Sequence, residues 1–181
     1  MKEYLLQYKS FLLFLAKFFI TYFVLSALYH LYLNQYNIKQ NEVDDFTVVV
    51  ANQTQKVLSF FDSGAHTELS DTEPSVKLFY NQKWVSRVIE GCNALSVMIL
   101  FVSFVIAFSG RWKTTALFIS FGLVIIHFFN VFRIALLSSA IYHFPDYQDF
   151  LHSVVFPLII YGVVFILWIF WVNKYSFYAN K

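Results

Sequence analysis

Long runs of apolar residues alternate with polar stretches along the chain, and four of these runs are long enough to enter a membrane. They cover residues 11–33, 92–108, 114–142 and 153–172. A helix needs about 20 mostly apolar residues to cross a bilayer, and only a helix or a closed barrel satisfies its own backbone in lipid. The pattern predicts four transmembrane helices. We expect the first to remain uncleaved, because it is too long for a signal-peptide core and no small-residue cleavage site follows it.

The polar segment between the first two runs, residues 34–90, contains little proline or glycine and no repeat, so we expect it to fold. Its first half predicts an amphipathic helix lying on the membrane or on the bundle. The apolar face of that helix would carry Val43, Phe46, Val50, Val57 and Phe61. Residues 62–75 have the composition of a polar loop. Residues 75–91 alternate around the Asn81-Gln82 pair and predict a short β-hairpin ending just before Cys92.

Composition supports the membrane assignment. Hydrophobic residues make up 59% of the 181 residues and charged residues only 13%, more apolar surface than one water-soluble core of this size can bury. The predicted fold class is therefore an all-α integral membrane protein. We expect a single membrane domain over residues 1–181, built as a four-helix transmembrane bundle with a small extracytoplasmic segment.

Basic residues predict the orientation in the membrane. The tight connection after the second run carries Arg111 and Lys113, and the tails carry Lys2, Lys9, Lys174 and Lys181. These faces should be cytoplasmic. Segment 34–90 has eight acidic residues against five basic ones, and residues 143–152 contain acids but no lysine or arginine. These segments should lie outside, with both termini in the cytoplasm.

The chain contains one cysteine, Cys92. A single cysteine cannot form an internal disulfide, a CxxC redox pair or a cysteine-rich zinc cluster. This excludes the quinone-linked disulfide oxidases, which are small four-helix membrane enzymes that pass electrons through paired cysteines. The thiol is either a small packing residue at a helix end or a nucleophile.

The predicted topology brings three reactive side chains to one membrane level. Cys92 lies at the outer end of the second predicted helix, and His152 immediately precedes the fourth. Arg133 follows His127 and Asn130 at three-residue spacing, about 19 residues or roughly 28 Å from the cytoplasmic start of its helix. Attack on an amide needs a thiolate, a proton donor and a positive group for the oxyanion, and these three side chains supply them. Arginine cannot act as the base, so the histidine would carry the proton.

Two other functions stay open on these observations. The spacing of four residues permits a metal site, which would make the protein a metalloenzyme or a metal transporter. These residues are His143, Asp146, Asp149 and His152. Alternatively, the aromatic helices bind partner helices and the protein is a non-catalytic membrane scaffold. An arginine near the end of a span also often extends to lipid phosphates.

Three sequence blocks resemble the motifs of the exosortase/archaeosortase family, in the same order and at matching spacing. They are "EGC" at 90–92, "NVFR" at 130–133 and "FLHSVVFPLIIYG" at 150–162. The asparagine directly after the cysteine, Asn93, and the short chain are most similar to the exosortase F subfamily of Bacteroidetes. Many exosortases have Cys-Ser-Gly where this chain has Cys92, Asn93 and Ala94, so the recognition motif of the substrate is left open.

The resemblance implies a membrane-embedded cysteine peptidase or transpeptidase, a thiol protease of the hydrolase class, in a bacterial inner membrane. Its partners would be exported proteins whose C-terminal sorting signal comprises a short motif, a transmembrane helix and a basic tail. Cys92 would be the nucleophile, Arg133 the stabiliser of the oxyanion or substrate carbonyl, and His152 the general acid and base. Asn130 and Asn93 would bind the substrate or orient the site. The active site would face the periplasm, and we expect membrane lipid as surroundings but no cofactor, metal or nucleic acid.

Overall fold

The computed structural model describes residues 8–37, 40–61, 64–108 and 110–176. Its longer helices are α1 (Lys9–Leu33), α2 (Asp45–Leu58), α3 (Leu95–Ala107), α4 (Trp112–His143) and α5 (Phe156–Lys174). The strands β1 (His66–Leu69), β2 (Val76–Tyr80) and β3 (Lys83–Val88) lie between α2 and α3 in the sequence. A 3₁₀ turn, Glu90–Cys92, precedes α3, and a π-helical turn, Leu151–Val155, precedes α5. Lys2 and Lys181, which contribute to the predicted orientation, lie outside the described residues.

Within the described residues, three helices are long and apolar enough to cross a membrane: Lys9–Leu33, Trp112–His143 and Pro145–Lys174. They contain the predicted spans 11–33, 114–142 and 153–172. The run at 92–108 instead forms α3, a helix of 13 residues or about 20 Å. It is shorter than predicted because Glu90–Cys92 forms a 3₁₀ turn and Ala94 has a left-handed backbone with φ of 65°, so the α-helix begins only at Leu95.

The bundle packs around α3, which contacts α1, α4 and α5. Its core includes Phe101 and Val105 of α3, Ile126 of α4, and Val164 and Trp171 of α5, all at most 1% exposed. No described residue of α1 is fully buried, so this helix rests on the outside of the bundle. Apolar side chains that face outward, as on α1, are what lipid requires.

The polar part of the fold packs on the far end of α4. This helix has 32 residues, or about 48 Å, which exceeds a hydrocarbon core of about 30 Å. Val131 and Ile134 of α4 join a second core with Val50 of α2 and Leu78 and Val88 of the sheet. The excess length of α4 therefore supports the segment that precedes α3.

The three strands form an antiparallel sheet in the order β1-β2-β3. Strands β2 and β3 are joined at Asn81 and Gln82, whose positive φ values of 49° and 59° fit a two-residue hairpin turn. The predicted loop at 62–75 contains β1, which the polar composition concealed. Pairing with β2 gives its backbone hydrogen-bond partners, and this long-range contact overrides local preference.

Helix α2 begins at Asp45 because the side chain of Asp44 accepts a hydrogen bond from the backbone N–H of Thr47, an N-cap contact of 2.9 Å. Its apolar face packs on the sheet and α4, with Val50 fully buried. The assignment of Phe61 to that face is wrong. The helix ends at Leu58, and Phe61 is 75% exposed.

We expect Gly122→Ala to lower the Tm of the protein in detergent micelles. A Cβ atom at Gly122 would overlap the ring of Phe101, which is completely buried where α3 meets α4. Forcing extra volume into a packed core typically costs about 1–3 kcal/mol. The matched control is Gly162→Ala on α5, where a new Cβ meets no atom within 4 Å. Because alanine favours helices over glycine, the control should hold or raise Tm, and an equal fall in both variants would contradict the packing described.

Candidate active site

The backbone of Cys92 is held by hydrogen bonds on both sides. Its N–H donates to the carbonyl of Ile89 at 2.8 Å and closes the 3₁₀ turn. Its carbonyl accepts a 2.8 Å hydrogen bond from Nδ2 of Asn130, a residue of α4 that is 1% exposed. A buried amide can bond strongly here because no water competes for it. The position of the thiol therefore depends on α4.

Asn93 anchors the next peptide unit. Its Oδ1 accepts a hydrogen bond from the N–H of Leu95 at the start of α3, at 2.9 Å. Its Nδ2 donates to Oγ1 of Thr47 in α2 at 3.1 Å and to the hydroxyl of Tyr29 in α1 at 3.3 Å. Asn93 thus ties the turn at Cys92 to three helices. Neither Asn93 nor Asn130 belongs to the described residues that line the cavity beside the thiol.

That cavity has a volume of about 730 Å³. Its walls come from β3, the turn at Cys92, α4, and the segment that leads into α5. The lining residues are Trp84, Val85, Ser86, Arg87, Gly91, Cys92, Arg133, Ile134, Leu137, Ile141, Gln148, Asp149, His152, Phe156 and Pro157. Cys92, Arg133 and His152, which lie on separate elements, therefore share one cavity.

Arg133 lies one helical turn after Asn130 on α4 and is half-buried. Its Nε atom is buried without a hydrogen-bond partner, and none of the described residues forms an ion pair with it. Cys92 and Tyr161 are close enough to interact electrostatically with its charge. Arg87, which also lines the cavity, is instead paired with Glu73. The guanidinium of Arg133 is therefore available to a negatively charged or carbonyl ligand.

His152 lies in the π-helical turn before α5 and is exposed. Among the described residues it has no hydrogen-bond or ion-pair partner. A π-helical turn widens the helix by one residue and is frequent at functional sites. Asp149, one turn earlier, lines the same cavity. From the sequence, Asp149 was predicted as an acid of an outer connection and considered as a metal ligand, but not as part of this site. Trp84 and Ser86 were not singled out, because the sequence holds no signal for them beyond the strand pattern.

His127, the first of the three polar residues spaced along α4, does not line the cavity. Its Nε2 is 2.6 Å from Oε1 of Gln53 on α2, and its ring lies 5.7 Å from that of Phe46. This histidine therefore joins α4 to α2. Of the other two residues, Asn130 bonds to the Cys92 carbonyl, and Arg133 lines the cavity. The three residues at this spacing therefore make three different contacts.

The metal alternative finds no geometric support in the part of the chain that the structure describes. No group of three or more histidine, cysteine, aspartate or glutamate side chains there is arranged to hold an ion. His143, one of the four residues considered, bonds through Nδ1 to the carbonyl of Ser139, one helical turn earlier.

Apolar helices and a cavity lined by a thiol, a guanidinium and an imidazole define a membrane protein with a candidate cysteine-dependent site. Comparison with protein families identifies the class: residues 4–174 match the transmembrane exosortase family, and the chain belongs to it. This is a family of membrane proteins in the sorting-protease group, generally cysteine transpeptidases. Comparisons with curated proteins and with solved structures gave no match.

Proposed function

We propose that this exosortase is a cysteine peptidase or transpeptidase that cleaves the C-terminal sorting signal of exported proteins. The observation that carries the proposal is the cavity shared by the chain's one cysteine, an arginine and a histidine, namely Cys92, Arg133 and His152. Each supplies one requirement of acyl transfer, namely a nucleophile, an oxyanion partner and a proton carrier. Among the described residues, neither the guanidinium of Arg133 nor the imidazole of His152 has a hydrogen-bond or ion-pair partner that would explain its presence at the cavity.

In the proposed reaction, His152 takes the proton from Sγ of Cys92, and the thiolate attacks the carbonyl carbon of the scissile peptide bond. The carbonyl oxygen becomes negatively charged and is stabilised by Arg133. The C–N bond then breaks, His152 gives its proton to the leaving amine, and a thioester to Cys92 remains. A water molecule or an amine then attacks the thioester carbonyl carbon and loses a proton to His152. The C–S bond breaks, and His152 returns that proton to Sγ of Cys92, which restores the thiol. The product is a hydrolysed or a transferred chain, respectively.

Asn130 and Asn93 act in this proposal as orienting residues. The bond from Asn130 to the Cys92 carbonyl fixes the nucleophile relative to Arg133, three residues further along α4. Asn93 fixes the following peptide through α1 and α2. Since small displacements of reacting groups greatly reduce rates, such buried supports matter although they touch no substrate.

The substrate class and location follow from the family and from charge. We propose substrates that carry a short motif, a transmembrane helix and a basic tail, processed at a bacterial inner membrane. Both termini would be cytoplasmic, since Arg111 directly precedes α4 and Lys113 lies in its first turn, next to the connection from α3. The cavity, at the opposite ends of these helices, would face the periplasm. Residues 1–181 would form a single domain with four spans, of which α3 is the second.

We also propose that the chain belongs to the exosortase F group. Its support is Asn93, which directly follows the nucleophile and is followed by Ala94 rather than glycine. Ala94 nevertheless adopts the left-handed conformation that glycine adopts most easily, with φ of 65°. The Asn93 contacts to Thr47, Tyr29 and Leu95 compensate for this strain.

The test is processing of an exported reporter fused to a C-terminal tail, encoded in the same genome, that has a short motif, an apolar helix and basic residues. Wild-type protein should release the reporter from its membrane anchor. Arg133→Lys should slow release by about 10²-fold, because lysine keeps the charge but loses the planar fork that contacts the oxyanion. Arg111→Lys, before the same helix and away from the cavity, is the matched control and should process normally. Equal rates for both variants would rule out the assigned role of Arg133.

A further inference from the structure

Strand β3 has a free edge. The sheet order is β1-β2-β3, so β3 pairs with β2 on one side, and no other strand of the described residues pairs with its outer side. A free edge presents backbone N–H and C=O groups that can pair with another extended chain. Soluble proteins usually cover or charge such an edge, whereas peptide-binding domains use it.

This edge borders the cavity that contains Cys92. Four consecutive residues of β3, Trp84–Arg87, line it. Trp84 pairs with Phe79 and Arg87 pairs with Lys77, so the side chains of Trp84 and Arg87 lie on the same face of the sheet. Ser86 pairs with Leu78, and its side chain lies on the other face. Successive side chains of one strand point to opposite faces of the sheet. A single cavity that contacts residues of both faces must therefore run along the edge of the strand. The cavity therefore extends along the backbone of β3.

The hairpin register identifies backbone groups on that edge. A two-residue turn makes Tyr80 and Lys83 a hydrogen-bonded pair, so the next residue, Trp84, directs its backbone N–H and C=O away from β2. The register shifts between Leu78 and Phe79. Beyond that shift, inward and outward backbone groups alternate again, and the backbone N–H and C=O of Arg87 also point away from β2. The strand ends at Val88, four residues before Cys92.

We propose that the cleavage segment of the substrate binds as an extended strand added to the free edge of β3, which leads the scissile carbonyl to Cys92. This inference rests on the proposed peptidase function and specifies how the substrate is held. The free edge of β3 is complementary to an extended peptide, because its backbone donors and acceptors can pair with those of another extended backbone. A helical peptide cannot pair in this way, because its backbone groups already bond to one another. Recognition therefore depends on alternate backbone amides of the substrate as well as on its side chains.

The first test uses the wild-type protein in detergent and synthetic tails of a substrate that it cleaves, each N-methylated at one backbone nitrogen before the scissile bond. N-methylation of an amide that donates a hydrogen bond to β3 should raise KM by about 5-fold. N-methylation of the neighbouring amides, which point away from β3, should have little effect. The expected result is an increase in KM at every second position with kcat nearly constant. An equal effect at consecutive positions would overturn strand addition.

The second test removes a donor from the protein. Trp84→Pro lacks the outward N–H, whereas Trp84→Ala keeps it and loses only the indole, so the difference between the two isolates the backbone group. We expect KM of the proline variant to be about 5-fold above that of the alanine variant. Equal KM values in two folded variants would overturn the proposal. If the proline variant does not fold, the test with N-methylated peptides decides between strand addition and its absence. Cleavage that persists in Cys92→Ala would refute the peptidase function itself and thus distinguishes the two failures.

Discussion

Replacement of Cys92 by serine is expected to abolish release of the anchored reporter while substrate binding is retained. The serine hydroxyl has nearly the same shape but is far less acidic than a thiol, so the proton transfer to His152 that ionises the thiol should not produce an effective alkoxide nucleophile. The backbone contacts from Asn130 and Ile89 do not involve the side chain, so the site should keep its shape. Uncleaved, membrane-anchored reporter should accumulate, and co-purification with the variant measures its binding.

The same residue permits a covalent test. Cys92 is the only cysteine of the chain, so a thiol-reactive label or a trapped acyl group reports on this position alone. Mass spectrometry of wild-type protein quenched with substrate should show the acyl adduct on Cys92, and the serine variant should show none. Normal processing by Cys92→Ser would show that the thiol is a packing residue.

Replacement of His152 by alanine should slow release by about 10² to 10⁴-fold, the range expected for the loss of a general acid and base. Its imidazole is exposed at the cavity and has no partner among the described residues, so its removal should not disturb packing. Added imidazole should restore part of the rate if it enters the cavity. The measurement is single-turnover release of the reporter with and without imidazole.

His143→Ala is the matched control for this change. His143 ends α4 outside the cavity and bonds to the backbone of its own helix, so its loss should leave the rate unchanged. A loss of activity in both variants would indicate a general effect on the outer ends of the helices. Normal processing by variants of Cys92, Arg133 and His152 alike would favour the non-catalytic scaffold instead.

The membrane helices were predictable because their signal is local. Twenty apolar residues in succession decide the environment whatever the rest of the chain does, as in α1, α4 and α5. The start of α3 was not predictable in this way. It depends on the left-handed backbone of Ala94 and on contacts of Asn93 with Thr47 and Tyr29, which are distant in the sequence.

The site could be predicted in outline from depth alone. Counting residues along each helix brought Cys92, Arg133 and His152 to one level, and the structure has all three on one cavity. The hydrogen bond from Asn130 to the Cys92 carbonyl joins residues 38 positions apart in the sequence. It was not predictable, because the sequence left several possible partners open for Asn130. Strand β1 was missed for a related reason, since its polar residues become a strand only through pairing with β2. Long-range pairing leaves little trace in local composition.

In the four-span topology that we propose, the shortness of α3 creates a hydrophobic mismatch at the site. A helix of 13 residues spans about 20 Å, roughly 10 Å less than an average hydrocarbon core. Lipid next to such a helix thins locally, and polar groups at its end draw the headgroup layer inward. In that proposed topology, the thiol at the outer end of α3 would meet water at a depth where a full-length neighbouring helix is still surrounded by acyl chains. A peptide bond close to the end of the membrane anchor that we propose for the substrate would then reach the thiol without the anchor leaving the bilayer.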